Sequence, residues 1–153
     1  IRIKSAEEVE ENFHSRYNCK RKTYRYTINN SEQGSAIYRN LEYHMPQKLN
    51  FEEMKKAIKY FEGEHDFKAF KSSGTRRTIY KAEIERENER IIIELTGNGF
   101  LYNMVRIITG TLVEVGMEKI KAEQIPEIME SRDRKLAGRT LPAHGLCLIK
   151  VEY

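Results

Sequence analysis

The strongest helical periodicity in the sequence lies between Asn98 and Gly116. Apolar side chains recur there at spacings of three and four residues, which places them on one stripe of a helix. The stripe consists of Leu101, Met104, Val105, Ile108, Leu112 and Val115. The pattern predicts a buried helix that Gly99 precedes and that Gly116 follows as a left-handed cap residue. Arg106 projects off the stripe, so its cation points either to solvent or to a specific partner.

Period-two alternation predicts the strands. Tyr24, Tyr26 and Ile28 alternate with polar residues, which is typical of a strand with one aromatic face. The segments predicted as strands are 20–30, 77–87, 90–96 and 146–153, and 37–44 is predicted as a strand or an extended segment. Residues 87–89 are predicted to form the turn of a hairpin between the second and third of these strands.

Two further helices are predicted from capping residues and apolar spacing. Asn50 is a suitable N-cap for a helix from Phe51 to Phe61, and Gly63 ends that helix. A second helix is expected from Ala122 to Ser131, before a basic, irregular stretch from 132 to 145. Strands beside helices, without a βαβ rhythm, indicate an α+β fold with a largely antiparallel sheet and helices packed on one face.

The remaining segments are predicted to be short. Residues 1–4 alternate like a strand, and residues 5–11 are expected to form a short acidic turn or helix. His65 and Asp66 begin a short segment that is predicted to carry Phe67 and Phe70 into the core. The whole chain, residues 1–153, is predicted to be a single domain.

The composition is that of a globular protein with a polar surface. The chain has 153 residues, of which 39% are hydrophobic and 33% charged. No run approaches the roughly 18 apolar residues of a membrane span, and no signal-peptide pattern is recognisable, so we expect a cytoplasmic protein without membrane contact. Cys19 and Cys147 are isolated, which favours a reducing compartment over a disulfide or a zinc site.

The net charge of +4 is modest, but it is unevenly distributed. Residues 13–31 and 67–82 contain no acidic residue. Their cations are Arg16, Lys20, Arg21, Lys22 and Arg25 in the first stretch and Lys68, Lys71, Arg76, Arg77 and Lys81 in the second. Tyr17, Tyr24, Tyr26 and Phe70 are interleaved with them. Aromatic rings beside cations suit unpaired RNA bases and their phosphates, although surface cations are usually only solvated.

Common enzyme motifs are absent from the sequence. It contains no P-loop, no G-x-G-x-x-G, no H-E-x-x-H and no paired-cysteine motif. The four histidines are scattered singly, which favours structural roles. Asp66 is a candidate acid, but its position at the start of a predicted helical segment favours a capping role. Residue types alone identify no nucleophile.

Six blocks of the sequence, in order, resemble the tRNA pseudouridine synthase A (TruA) family. They are FHSRY at 13–17, KTYRY at 22–26, EGEHDFKAF at 62–70, RTIYKAEI at 77–84, GFLYNMVRIITGTLVEVG at 99–116 and AGRTLPAHGLCLIKVEY at 137–153. The resemblance implies a pseudouridine synthase fold and an enzyme that isomerises uridine at positions 38, 39 and 40 of the tRNA anticodon stem–loop. It also implies a homodimer that binds tRNA, with neither a metal nor an organic cofactor.

The family's nucleophile is an aspartate in an R-T-D-A-G-V-H motif, and these 153 residues do not contain that motif. The resemblance therefore implies that they are the C-terminal domain of a longer enzyme. It further implies that the isolated domain is inactive, because it supplies supporting residues without the nucleophile.

The resemblance assigns two residues to the active site. Tyr24, the first tyrosine of the KTYRY block, corresponds to the tyrosine that stacks on the target base, and Arg106 corresponds to the arginine that pairs with the catalytic aspartate. The implied tRNA contacts are Phe13, His14, Ser15, Arg16 and Tyr17, and Ser72, Ser73, Gly74, Thr75 and Arg76. Relatives usually carry several more polar residues in the second segment, so its contacts depart furthest from the family pattern.

Two other interpretations of the residues stay open at this point. The same basic and aromatic surface is compatible with an RNA-binding module without catalysis. A structural dimerisation domain with incidental charge is compatible as well.

Overall fold

The computed structural model describes residues 2–3, 5–70 and 76–153. The strands are β1 (Arg21–Asn29), β2 (Tyr43–His44), β3 (Gly63–Asp66), β4 (Arg76–Glu87), β5 (Arg90–Gly97) and β6 (Leu146–Glu152). The α-helices are α1 (Phe51–Ile58), α2 (Met104–Gly116) and α3 (Ile125–Ser131). Short 3₁₀ turns at 59–61, 67–70, 122–124 and 143–145 connect them.

The six strands form one sheet in which β1 has neighbours on both sides. The strand order is β2-β1-β5-β4-β3. On the side of β1 that faces away from β5, β6 pairs with the first part of β1 and β2 pairs with its end. All pairings are antiparallel except the two-residue pairing of β1 with β2. The predicted α+β class with a largely antiparallel sheet is therefore confirmed.

The core lies on one face of the sheet. Alternate residues of the central strands are buried there, including Tyr26 and Ile28 of β1 and Ile93 of β5, all fully inaccessible to solvent. Residues of α1, α2 and α3 belong to the same buried cluster, so the helices cover this face. Phe67 and Phe70 are completely buried, as the sequence predicted.

Helix α2 begins later than the periodicity predicted. Residues 98–103 are not helical, because Asn103 adopts a left-handed conformation with φ 61° directly before Met104. The prediction for Gly116 was wrong: it is the last helical residue, and the left-handed residue after the helix is Glu118 with φ 61°. Gly116 is needed for packing instead, since an added Cβ would lie 2.8 Å from the sulfur of Met54.

Other boundaries shift for similar reasons. The segment 37–44 contributes only the two residues of β2. The helices predicted at 51–61 and 122–131 are each part α-helix and part 3₁₀ turn. Residues 5–11 form no helix, and Glu11 and Asn12 form a turn. The strand predicted at 1–4 includes Ile1 and Lys4, which lie outside the described residues, and Arg2 and Ile3 belong to no strand.

Among the glycines that the structure describes, the closest approach joins α2 to the segment that follows α3. An added Cβ on Gly110 would lie 1.8 Å from the carbonyl oxygen of Arg139, and one on Gly138 would lie 2.5 Å from the backbone of Gly110. The Gly138 N–H donates to Oγ1 of Thr111 at 2.8 Å. Arg134 donates to the carbonyl oxygens of Ala137 and Gly138. Residues 137–142 are therefore held directly against the backbone of α2.

We expect Gly138→Ala to destabilise the protein by about 3 kcal/mol, at the upper end of the cost of overpacking, because the new methyl group meets backbone rather than a movable side chain. Urea denaturation measures the loss. Gly99→Ala is the matched control, since its Cβ would lie 3.5 Å from Arg77, an ordinary contact distance. Equal unfolding midpoints for the two variants would contradict the tight contact.

Candidate functional site

A cleft of about 340 Å³ opens between β1, the start of α2 and the 3₁₀ turn before β6. The two predicted active-site residues, Tyr24 and Arg106, both line it, although they are 82 positions apart in the chain (106 − 24). The other lining residues are Phe100, Leu101, Tyr102, Asn103, Met104, Val105, Ala143 and Leu146. The wall is thus mostly apolar and aromatic, with one cation.

Tyr24 is half-buried on the helix-covered face of β1. The rings of Tyr24 and Phe100 pack edge to face, with their centres 5.3 Å apart and their planes at 84°. Such edge-to-face contacts hold an aromatic ring in a defined orientation. The remaining surface of Tyr24 borders the cleft, where a planar base can stack on it.

Arg106 is held by three hydrogen bonds. Its Nε donates to the Leu141 carbonyl oxygen at 2.5 Å, and its Nη1 donates to Oδ1 of Asn103 at 2.8 Å. Its own carbonyl oxygen accepts from the Leu141 N–H at 3.4 Å. Both side-chain acceptors are neutral, and no ion pair to Arg106 occurs among the described residues. The guanidinium is therefore oriented while its positive charge is not neutralised.

Tyr26 of β1 connects the sheet to the segment that carries Leu141 and Pro142. Its hydroxyl donates to the Pro142 carbonyl oxygen at 2.7 Å, one residue beyond the carbonyl that holds Arg106. Burial raises the pKa of the Tyr26 phenol far above its ordinary value, and the nearby charges of Arg106 and Arg139 counteract this only in part. The phenol therefore remains a neutral hydrogen-bond donor at physiological pH.

The predicted RNA-contact segment 13–17 lies at the same end of the sheet as Tyr24. The Phe13 ring packs 5.0 Å from that of Tyr153, and the Lys20 N–H donates to the Glu152 carbonyl oxygen beside the start of β1. Tyr24 is three residues further along β1 than Arg21, a distance of about 10 Å. His14, Ser15, Arg16 and Tyr17 are exposed, and Tyr17 has 75% of its surface accessible.

Arg76, the only predicted contact of the second segment within the described residues, also lies at this end. Strand β4 begins at Arg76, and its Ile79 lies opposite Gly97, which in turn lies opposite Lys22. Arg76 is exposed and forms a 3.3 Å ion pair with Glu64. The predicted contacts Ser72, Ser73, Gly74 and Thr75 lie outside the described residues.

The two basic stretches do not form one uniform cationic surface. Nη2 of Arg25 lies 2.6 Å from Glu94, and Nζ of Lys81 lies 2.6 Å from Glu83, on the sheet face opposite to the core. Glu83 follows the second basic stretch directly on β4, whereas Glu94 reaches Arg25 from the neighbouring strand β5. Arg16, which precedes β1, takes part in no ion pair among the described residues, and its guanidinium lies 5.9 Å from the ring centre of Tyr17.

Asp66 has the capping role that the sequence favoured. Its Oδ1 accepts from the Lys68 N–H at 3.1 Å, at the start of the 3₁₀ turn, and its Oδ2 pairs with Arg132 at 3.1 Å. Cys19 and Cys147 are free thiols. In the part of the chain that the structure describes, no three metal-ligating side chains cluster and no helix is long and apolar enough to cross a bilayer.

Sequence analysis missed the residues that orient Arg106. Asn103 precedes Arg106 by three positions, a spacing at which side chains near a helix start can meet, and this spacing was the available signal. Leu141 acts through its backbone carbonyl, to which its side-chain type gives no clue. Phe100, which orients Tyr24, was part of the block GFLYNMVR but carried no periodicity of its own.

Together, the fold and the cleft define an α+β protein that presents an oriented aromatic ring and an unneutralised arginine to an open site. Residues 57–153 match the family model described as tRNA pseudouridine synthase. The match covers well over half of the chain, which therefore belongs to the tRNA pseudouridine synthase family.

Similar proteins carry the corresponding name. A protein from Acetivibrio thermocellus named tRNA pseudouridine synthase A is 54% identical, over 100% of this chain and 65% of that protein. Proteins of the same name from Ruminiclostridium cellulolyticum and Clostridium acetobutylicum are 52% and 53% identical, over 65% and 63% of their own lengths. The chain thus spans slightly less than two-thirds of the length of the curated relatives that it matches.

We expect Tyr26→Phe to lower the free energy of unfolding by about 1 kcal/mol near neutral pH, because the Pro142 carbonyl loses its donor. The raised pKa also predicts a pH dependence. Above a pH of about 10, Tyr26 ionises in the unfolded chain but stays protonated in the folded one, so stability falls by roughly 1.4 kcal/mol per pH unit. The variant lacks this contribution.

Urea denaturation of both proteins from about pH 8 to 10.5 checks the prediction. The stability advantage of the wild type should shrink as the pH rises. An advantage that stays constant over this range would contradict the burial of a neutral Tyr26.

Proposed function

We propose that this chain is the RNA-facing, active-site-supporting part of an enzyme that converts uridine to pseudouridine in tRNA. The proposed targets are positions 38–40 of the anticodon stem–loop. The single observation that carries the proposal is that Tyr24 and Arg106 line one cleft in a member of the tRNA pseudouridine synthase family. These are the two side chains to which the family resemblance assigns active-site roles.

The proposed reaction begins with exposure of the target base. A uridine stacked in an RNA helix has to be flipped out, at a cost of a few kcal/mol (roughly), before its glycosidic bond is accessible. The guanidinium of Arg106, held in the cleft by Leu141 and Asn103, then pairs with a carboxylate. We propose that this carboxylate is the nucleophilic aspartate of the family and comes from outside the 153 residues.

Isomerisation of uridine to pseudouridine replaces the bond between the ribose and N1 of uracil by a bond between the ribose and C5. The bond between C1′ and N1 breaks, the uracil rotates, and a bond forms between C1′ and C5 while C5 loses its proton and N1 gains one. In this scheme Tyr24 stacks on the detached uracil during the rotation, and its hydroxyl assists removal of the C5 proton. The sum of these steps is redox-neutral and needs no co-substrate.

Binding of the rest of the tRNA is assigned to the exposed residues near the start of β1. Arg16 and Tyr17 offer a cation and an aromatic face next to each other, with the guanidinium carbon 5.9 Å from the ring centre. Phe13, His14, Ser15, Ser72, Ser73, Gly74, Thr75 and Arg76 complete the proposed contacts. By family resemblance, we propose that the full-length enzyme is a cytoplasmic homodimer.

In the full-length enzyme, we expect Arg106→Ala to abolish pseudouridine formation while leaving most of the tRNA affinity. The reason is that Arg106 acts on the carboxylate and the flipped base, whereas the affinity comes mainly from phosphate contacts. Release of tritium from C5-labelled uridine in tRNA measures the activity. Arg86→Ala is a control at the opposite end of the sheet, where Arg86 lies opposite Ile91.

Tritium release at the wild-type rate by the Arg106→Ala enzyme would remove Arg106 from the mechanism. If the wild-type full-length enzyme itself releases no tritium but binds tRNA, the non-catalytic RNA-binding module is the correct interpretation.

The 153-residue chain alone is expected to bind tRNA weakly, with an affinity that falls at least about tenfold between 50 and 200 mM salt. Arg16→Ala should reduce the slope of log affinity against log salt by roughly one, because one phosphate contact is lost. Lys55→Ala, an exposed cation of α1, is the matched control and should leave the slope unchanged. Filter binding over a salt series measures both, and a salt-independent affinity would contradict the phosphate contacts.

A further inference from the structure

Asn103 has an unusual conformation for a residue at the start of a helix. It is the N-cap of α2, yet its backbone is left-handed, with φ 61° and ψ 2°. Asparagine is one of the few residues other than glycine that adopt this region readily. Its own carbonyl oxygen accepts from the Ile107 N–H at 3.0 Å, so the backbone still takes part in the first helical turn.

The side chain of Asn103 does not perform the usual task of an N-cap. A capping asparagine accepts a hydrogen bond from an N–H of the first helical turn, as Asn50 does from Glu53 at the start of α1. Asn103 makes no such bond. Its Oδ1 accepts from Nη1 of Arg106 instead, at 2.8 Å. The left-handed backbone thus turns the amide away from the helix end and towards the arginine.

The two side-chain hydrogen bonds of Arg106 fix its guanidinium plane. Leu141 accepts from Nε and Asn103 from Nη1, which engages two of the five N–H donors. Within the described residues no acceptor is recorded for Nη2, so Nη2 and the second Nη1 hydrogen remain for an incoming ligand. These two bonds leave the end of the guanidinium formed by Nη2 and the second Nη1 hydrogen available for bidentate pairing with a carboxylate.

We propose that Asn103 is a positioning residue for the reaction: it orients Arg106 towards the catalytic carboxylate without neutralising its charge. This inference rests on the proposed function. A neutral amide suits the role because an acidic side chain in its place would itself form an ion pair with Arg106. Asn103 contacts neither the base nor the ribose in this scheme and acts only through the arginine.

The test uses the full-length enzyme with two substitutions of different character. Asn103→Gly keeps the left-handed backbone accessible and removes the acceptor. We expect kcat to fall on the order of tenfold to a hundredfold, because the arginine is no longer held in place, with the Kd for tRNA within about twofold of wild type. Asn103→Asp keeps the shape and the acceptor but adds a charge, and we expect a loss of kcat at least as large.

Asn88→Gly is a closely matched control. Asn88 is also left-handed, with φ 54°, but it lies in the turn between β4 and β5, at the end of the sheet remote from Tyr24. The same chemical change there should leave kcat and Kd at their wild-type values. Thermal denaturation of each variant separates a loss of folding from a loss of positioning.

The outcomes distinguish the inference from the function on which it rests. If the wild-type and Asn88→Gly enzymes form no pseudouridine, the proposed function fails. If they are active, Arg106→Ala is inactive, and both Asn103 variants keep the wild-type kcat, the role of Asn103 is overturned. If Asn103→Asp alone keeps full activity, the neutrality of the Asn103 side chain is not required, and that part of the proposal is overturned. If the substitutions change Kd but not kcat, Asn103 is an RNA contact and not a positioning residue. If Asn103→Gly fails to fold, Asn103→Asp decides between these outcomes.

Discussion

The backbone contact between Gly110 and Gly138 determines where the cleft lies and what faces it. Because neither residue has a Cβ, the segment 137–142 approaches α2 more closely than side chains would allow. Two consecutive carbonyl groups of that segment then accept hydrogen bonds from two side chains of the site. The Leu141 carbonyl accepts from Arg106, and the Pro142 carbonyl accepts from Tyr26. A shift of this segment would move both partners at once, so the geometry of the cleft depends on a contact outside it.

The antiparallel sheet brings the remaining candidate residues to one end. The start of β1, the end of β5, the start of β4 and the end of β6 all meet there because each neighbour runs in the opposite direction. Segment 13–17 and Arg76 therefore lie on the side of the molecule where Tyr24 faces the cleft. On the sheet face opposite to the core, Arg25 and Lys81 pair with glutamates of the neighbouring strand positions, so these two cations are neutralised locally.

Periodicity predicted the elements that bury a regular apolar face. Tyr24, Tyr26 and Ile28 share a face of β1, and the stripe of α2 from Met104 to Val115 is buried, because burial of alternate or helically spaced residues is what shapes such patterns. Boundaries were predicted less well. The late start of α2 depends on the left-handed backbone of Asn103, and the role of Gly116 depends on Met54, a contact from another helix. A tertiary contact such as that between Gly116 and Met54 leaves no local pattern, and apolar periodicity does not report the backbone conformation of Asn103.

The sequence by itself determined the strand and helix types, the buried faces and, through blocks shared with a family, the identity of Tyr24 and Arg106 as candidates. Only the tertiary structure decided that these residues meet in one cleft and how the arginine is held. The physical reason is that Arg106 is oriented by a main-chain carbonyl 35 residues away, and every residue type at position 141 has that carbonyl. Asn103 is oriented by its left-handed backbone, a conformation that its residue type permits but does not impose.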